Sequence, residues 1–394
     1  MTYKQRNRQA WYTLPMSTGG LALLLHPSNQ PHTFTGLVTI GETIFIFDLI
    51  LFTVITCAIT YRFIRRPSLL KQSLLHPSES LFFATPFLAF ACIIGGMSLY
   101  GTPHCGPWLP RAYDILFWIY FSTTFLVAAT QYYLLFSSPA LKMQDMTPAW
   151  DLPIFPFMLS GTLAAIGAAS DPNAVTMVVA GLTAQGLGMV VSVIMYVMYV
   201  HRMIEWGFPS PNSRPAMFIA VGPPAFTSLA IIGMAKGFPP NTTFFGNDGL
   251  ATANTLRLLA TMVAVFIWSL AFWFFCIALL SIVAAAREVT FHLNWWAFVF
   301  PNVGFTLATI KIGSMFRSAG VSWVGSVMSV CLLGTYLFVF ARCVRAVLRR
   351  DILSGGLDED TYYSEEKPKQ RRRREERRAR AKAKAKAKAQ EKRA

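Results

Sequence analysis

The side chains that most often carry out chemistry in proteins are few in this 394-residue chain, and they are scattered. Its six cysteines and six histidines show neither CxxC nor HExxH spacing, so the sequence predicts no disulfide framework, no metal site and no cofactor. No pair of nucleophile and base and no phosphate-binding loop stands out, which argues against a membrane-embedded enzyme. The remaining candidates are basic residues in apolar segments, and the chemistry they favour is attraction of an anion.

Two lysines are the candidates for that role, Lys236 and Lys311. At 100° per residue, Lys311 lies about 20° from Phe300 on a helix, whereas Phe298 lies about 200° from Phe300. We therefore expect Phe300 and Lys311 to face one space, and both lysines to draw anions into an outer vestibule. The alternative for each lysine is a side chain that snorkels to the lipid headgroups.

Prolines recur along the chain with a regular spacing. One or two fall in every second apolar segment, and intervals of 68 to 77 residues separate Pro15, Pro86, Pro156, Pro224 and Pro301. Such a period indicates a repeated unit, here a two-helix hairpin with one straight and one broken helix. Irregular backbone at membrane depth is tolerated where it is buried in protein or lines a water-filled cavity. The broken helices are therefore predicted to lie inside, around a pore.

The proline-containing segments also collect small, hydroxyl-bearing and helix-interrupting residues. The candidates for the pore lining are Ser17, Thr18, Gly19, Gly222, Pro223, Pro224, Phe226, Pro301 and Asn302. Interrupted helices would present the positive ends of half-helix dipoles to an anion. The alternative is that the glycines only permit close packing and the prolines only kink their helices, and the two interpretations are compatible. The acids Glu42 and Asp48 lie on a proline-free segment. Two roles are open for them: paired structural groups, or a site that links transport to protons.

These residues are carried by a chain that is 54% hydrophobic and contains repeated long apolar runs, the pattern of a polytopic membrane protein. Ten candidate spans can be drawn: 11–26, 35–62, 81–101, 112–136, 150–170, 173–200, 214–236, 251–284, 293–316 and 322–348. The fold class expected is all-α integral membrane. Ten transmembrane helices would form five helical hairpins around a central pore, with the odd-numbered helices kinked by proline and lining it. Residues 1–350 make up this domain.

Positive charge is concentrated at the end of the chain. The net charge is +16, and residues 367–394 hold 15 Lys or Arg against 3 Glu. Residues 351–394 are therefore predicted to be a basic low-complexity tail. Such a tail either binds anionic membrane lipids or merely keeps the chain soluble, and no nucleic-acid partner is predicted.

The distribution of Lys and Arg between loops also predicts orientation. Placing both termini in the cytoplasm puts most basic residues on the inner side and leaves few outside, chiefly Arg111, Lys236 and Arg317. Asn241 opens a glycosylation sequon in a predicted outer loop, and its use is left open.

Five stretches resemble one known family: WYTLPMSTGG (11–20), HPSESLFFAT (76–85), PAWDLPIFPFM (148–158), RPAMFIAVGPPAF (214–226) and WWAFVFPNVGF (295–305). The chain resembles the fungal malic acid (C4-dicarboxylate) transport proteins of the tellurite-resistance/dicarboxylate transporter family, which share a fold with plant slow anion channels. The resemblance implies ten helices in five hairpins, a homotrimer with one pore per subunit, and a phenylalanine that occludes the pore. By its position in the W-x-x-x-F-P pattern, that residue would be Phe300.

The resemblance also implies a function. We expect a plasma-membrane transporter of malate, succinate or similar C4-dicarboxylate anions, with proton coupling left open. The alternative is efflux of sulfite or another small anion on the same fold. A receptor or scaffold that uses the basic tail is a further alternative from another class.

Overall fold

The apolar segments form α-helices in the computed structural model, which describes residues 9–75, 77–137, 143–169, 173–240, 248–349 and 352. No strand occurs within these ranges. The α-helices are α1 (Thr13–Leu25), α2 (Leu37–Arg65), α3 (Ser68–Leu75), α4 (Pro77–Leu81), α5 (Thr85–Gly96), α6 (Trp108–Ser137), α7 (Phe155–Gly167), α8 (Ala174–Trp206), α9 (Gly222–Gly237), α10 (Gly249–Ala285), α11 (Phe300–Met315) and α12 (Ala319–Leu348). Asn241 and the basic tail, apart from Ile352, lie outside the described residues, so those predictions stay open.

Five of these helices, α1, α5, α7, α9 and α11, form a closed ring. Each packs against the next in chain order, and α11 packs back against α1. The long helices α2, α6, α8, α10 and α12 each pack against the ring helix that precedes them. The arrangement is therefore five hairpins, with an inner and an outer helix in each.

Burial separates the inner helices from the outer ones. In the most apolar window of each outer helix, between 17% and 39% of the residues are buried, against 89% for Pro211–Gly237. The outer helices expose large apolar side chains such as Ile50, Val54 and Phe266. Exposed apolar surface of this extent suits contact with lipid rather than water.

The described part of the chain contains seven helices that are long and apolar enough to cross a membrane. The prediction of an all-α membrane protein is confirmed. The predicted spans 11–26, 150–170 and 293–316 are covered by shorter helical segments, so the count of ten crossings stays a prediction.

The prolines stand at joints between two kinds of helix. A 3-10 segment precedes each inner α-helix: Gln9–Tyr12, Phe82–Ala84, Pro148–Asp151, Pro211–Val221 and Leu293–Phe298. Pro86, Pro156, Pro223 and Pro301 then occupy the first turn of α5, α7, α9 and α11. Proline is tolerated there because its missing N–H would have no intrahelical partner at that position. Each of these four inner α-helices thus begins one residue before its proline, and its N-terminal end lies within the protein.

Candidate functional site

A cavity of about 390 Å³ lies at the centre of the inner ring. Every inner helix contributes to its wall, and the side chains are mostly apolar, as shown by Leu23, Ala91, Leu163, Leu229 and Leu307. A solute that moved along the axis of the ring would contact all five hairpins.

Two lysines lie at one end of this cavity. Lys236, near the end of α9, and Lys311, near the end of α11, are the only charged residues among the described residues that line it. The Nζ atom of Lys311 donates a hydrogen bond to the backbone oxygen of Ser28 at 3.2 Å. This contact orients the ammonium group at the mouth, where its charge can act on an approaching anion.

Phe300 lies at the other end of the cavity. Its side chain is 2% exposed, and it lines both the large cavity and a second one of about 30 Å³. The second cavity lies among the N-terminal ends of the inner helices, with Thr13, Thr85 and Ile219 in its wall. The Phe300 ring therefore stands between the two spaces. Lys311 shares the large cavity with Phe300, as the helical spacing predicts.

Phe300 belongs to a cluster of three phenylalanines from three inner helices. Its ring stacks on Phe226 of α9, with centroids 5.1 Å apart and planes at 27°. Phe155 of α7 meets Phe300 edge-on at 6.0 Å and Phe226 edge-on at 5.7 Å. Such pairs contribute about 0.5–1.5 kcal/mol each beyond burial. The three rings lie together where the large and the small cavity adjoin.

A glycine on a neighbouring helix accommodates each ring of this cluster. A Cβ atom added at Gly222 would lie 2.7 Å from the Phe155 ring, and one added at Gly304 would lie 2.6 Å from the Phe226 ring. At Gly20 the added atom would lie 3.1 Å from the Phe300 ring. The contact at Gly20 is the loosest of the three.

Sequence reasoning did not assign Phe155 to the site. The signal was present, because Phe155 precedes Pro156 as Phe300 precedes Pro301, at equivalent positions of the proline repeat. Both phenylalanines are the first residue of their α-helix. Phe298, in contrast, packs on Phe218 at 5.3 Å, away from the large cavity, as its helical angle predicts.

Ser17, Thr18 and Gly19 do not line the cavity, although the sequence made them candidates. The Ser17 hydroxyl is directed at the backbone oxygen of Trp296, at 3.4 Å. The Thr18 hydroxyl lies 2.9 Å from that of Tyr336 on α12. The cavity-facing residue of this stretch is Gly20.

The remaining candidates lie at or near the cluster of three phenylalanines. Pro301 lines the small cavity beside Phe300, while the Asn302 side chain donates to the backbone oxygen of Phe298 at 2.9 Å. The backbone oxygens of Pro223 and Pro224 accept from hydroxyls one turn later in α9. Asn302, Pro223 and Pro224 therefore support the helix starts and do not face the large cavity.

The two intramembrane acids on α2 have different surroundings. Asp48 is fully buried and lies against Gly19, where an added Cβ atom would come 2.5 Å from its Oδ2. Glu42 is paired with His104 at 3.3 Å, near the surface. Asp48 therefore faces the inner ring, whereas Glu42 contacts a histidine at the periphery.

Comparison with known proteins gives a consistent result along nearly the whole chain. Residues 8–344 match the family model described as voltage-dependent anion channel. A malic acid transport protein of Schizosaccharomyces pombe is 34% identical, over 90% of this chain and 81% of that protein. A putative malic acid transport protein of the same organism is also 34% identical, over 89% and 82%. A sulfite efflux pump of Trichophyton rubrum is 26% identical, over 85% and 89%.

Proposed function

Because the chain belongs to the voltage-dependent anion channel family and transports anions across a membrane, we propose that its substrates are malate and related C4-dicarboxylates. The expected resemblance to the malic acid transport proteins is confirmed, and the chain is a transporter, not an enzyme. Two relatives named for malic acid, each 34% identical, support this substrate class over sulfite.

The observation that carries the proposal is the central cavity with lysines at its mouth and phenylalanines at its floor. Lys236 and Lys311 would attract a doubly charged anion, and the apolar wall offers no fixed positive charge that would retain it. Weak binding along the path allows an anion to leave as readily as it enters, which favours rapid transport.

Helix ends supply a second electrostatic contribution at the floor. The first residues of α7 and α11 meet there, since Phe155 and Phe300 are in ring contact. The N-terminal end of a helix carries about half a positive elementary charge. A carboxylate that passed this level would meet the positive ends of two helix dipoles.

We propose Phe300 as the gate of this path. Its ring separates the two cavities, and rotation of the ring away from Phe226 would connect them. The same movement would expose the helix ends to an anion, so opening and electrostatic attraction would occur together.

Further parts of the proposal concern the setting of the protein in the cell. We place it in the plasma membrane as a homotrimer with cytoplasmic termini, its exposed outer helices covered by lipid or by neighbouring subunits. Protons are a candidate second substrate, because the buried carboxyl of Asp48 lies against pore helix α1. Replacement of Asp48 by Asn should then abolish any dependence of uptake on a pH gradient.

The test is uptake of radiolabelled malate into proteoliposomes that contain the purified chain. We expect saturable uptake above empty vesicles, with competition by succinate. Equal counts in empty and loaded vesicles would refute the proposal. Sulfite efflux is the second candidate because of the 26% identical relative, and flux of sulfite without malate would favour it.

A further inference from the structure

A second cavity, separate from the path, lies where α12 ends. Its volume is about 310 Å³, at the lower end of the range of about 300–1,000 Å³ for small-molecule sites. Its walls are the last turns of α12 and the segment before the 3-10 helix Leu293–Phe298. The residues that matter for its chemistry are Arg342, Arg345, Arg349, Thr290 and His292.

The three arginines form one stripe along the end of α12, with Arg349 as the first residue after the helix and still in helical conformation. At 100° per residue they fall within about 60° of one another, and all three border the cavity. Arg342 is partly buried, and its guanidinium carbon lies 5.6 Å from the centroid of the Trp295 ring. This cation–π contact holds one charge at the cavity wall.

No carboxylate in the described part of the chain forms an ion pair with these three guanidinium groups. Like charges spaced by three and four residues on a helix destabilise it by about 0.2–0.5 kcal/mol per pair. Arginine at a helix C-terminus is ordinarily explained by the helix dipole. The helix dipole does not explain why a cavity wall should face the arginines. In this protein Thr290 and His292 form such a wall.

The opposite wall is itself well ordered by hydrogen bonds. The Asn212 side-chain oxygen accepts from the backbone N–H and the hydroxyl of Thr290, at 2.9 and 3.2 Å. The Trp295 indole donates to the backbone oxygen of Thr290 at 3.1 Å. One wall of the cavity is thus fixed by hydrogen bonds, and on the other wall the Arg342 side chain is held by its contact with Trp295.

We propose that this cavity binds a phosphate-bearing anion at the membrane face where α12 ends. A guanidinium group offers paired N–H donors that match phosphate oxygens, so a triad of arginines selects a group with several negative charges. The ligand is either the phosphorylated headgroup of a membrane lipid or a soluble phosphate compound. Both present the same chemistry to the cavity.

Binding to detergent-purified full-length protein distinguishes these sources. The probes are a short-chain phosphatidylinositol bisphosphate, the free inositol trisphosphate headgroup, and a short-chain phosphatidylcholine as the zwitterionic reference, whose single phosphate is balanced by its own ammonium group. Affinity is measured by microscale thermophoresis at two salt concentrations. We expect at least one phosphorylated probe to bind far more tightly than phosphatidylcholine. Preference for the lipid probe or the free headgroup identifies the source, whereas no preference over phosphatidylcholine overturns the proposal.

The variant that tests the site is Arg345→Gln with Arg349→Gln. Loss of two charged hydrogen-bond donors should weaken binding of the phosphorylated probe at least about tenfold. The matched control is Arg65→Gln with Arg66→Gln, which removes the same charge at the end of α2, outside the cavity. The control should bind within about twofold of wild type. Equal loss in both variants, or no loss in the first, overturns the proposal.

A charge-preserving variant covers the case in which the first variant does not fold. Arg345→Lys with Arg349→Lys keeps the charge but loses the paired donors, so binding should weaken by roughly threefold to tenfold. Unchanged affinity in the folded lysine variant would contradict recognition by the arginines.

Discussion

Replacement of Phe300 by Ala gives the most direct test of the gate. In the closed conformation the ring contacts Phe226 at 5.1 Å and Phe155 at 6.0 Å. Two such pairs contribute about 1–3 kcal/mol together. If the ring must leave both partners before an anion passes, its removal lowers the barrier by that amount. Anion flux should then rise roughly 5- to 150-fold.

The measurement is malate flux in proteoliposomes, normalised to the amount of correctly oriented protein. Truncation of a buried phenylalanine typically destabilises a protein by about 3–5 kcal/mol, so size-exclusion profiles and thermal stability must be recorded for each variant. Phe298→Ala is the matched control, because that ring lies in the same segment but packs on Phe218. We expect no increase of flux in the control.

Two results would refute this reasoning. Unchanged or lower flux in a well-folded Phe300→Ala protein would show that another barrier limits passage. An equal increase in Phe298→Ala would show that general loosening of the segment, and not removal of an occluding ring, opens the path. Phe300→Leu provides a further check, because leucine retains apolar bulk and should raise flux much less than alanine.

Three further substitutions test other parts of the path. Lys311→Gln should raise the apparent KM for malate roughly fivefold, because the mouth loses attraction worth about 1 kcal/mol while Lys236 remains; an unchanged KM in uptake measurements would indicate a snorkelling lysine. Phe155→Ala should raise flux less than Phe300→Ala, since it removes edge-on contacts but leaves the stacked pair; flux above that of the Phe300 variant would reassign the gate. Gly304→Ala should reduce the yield of folded protein, because the added carbon would lie 2.6 Å from the Phe226 ring; normal yield and thermal stability would contradict that packing.

Much of the architecture could be predicted from the sequence because the proline period is independent of hydropathy. It separated inner from outer helices, and the burial pattern of α10 against residues 211–237 agrees with that division. Hydropathy alone could not do this, since both kinds of helix are apolar. The 3-10 segments were not predicted, because a proline shows where regular hydrogen bonding stops but not which helix type precedes it.

The lining of the path was harder to predict for a physical reason. An outer helix has one packed face, whereas an inner helix is buried on every side and shows no amphipathic stripe from which its orientation can be read. Ser17 and Thr18 were therefore assigned to the pore on composition, although they contact the Trp296 backbone and Tyr336. Phe300 and Lys311 both line the large cavity, and their relative position could be expected because two positions on one helix fix a relative angle.

The Phe-Pro dipeptides at the starts of α7 and α11 link the proposed closing of the path to the positive charge of the helix ends. Proline sets where the α-helix begins, and the preceding phenylalanine is then its first residue in both α7 and α11. The N-terminal end of an α-helix carries about half a positive elementary charge, so the ring lies at the positive end of its helix dipole and shields that end from the cavity. A gate at this position controls access to positive charge as well as to space. An uncharged solute of the same size would gain only the space, so the same movement favours anions.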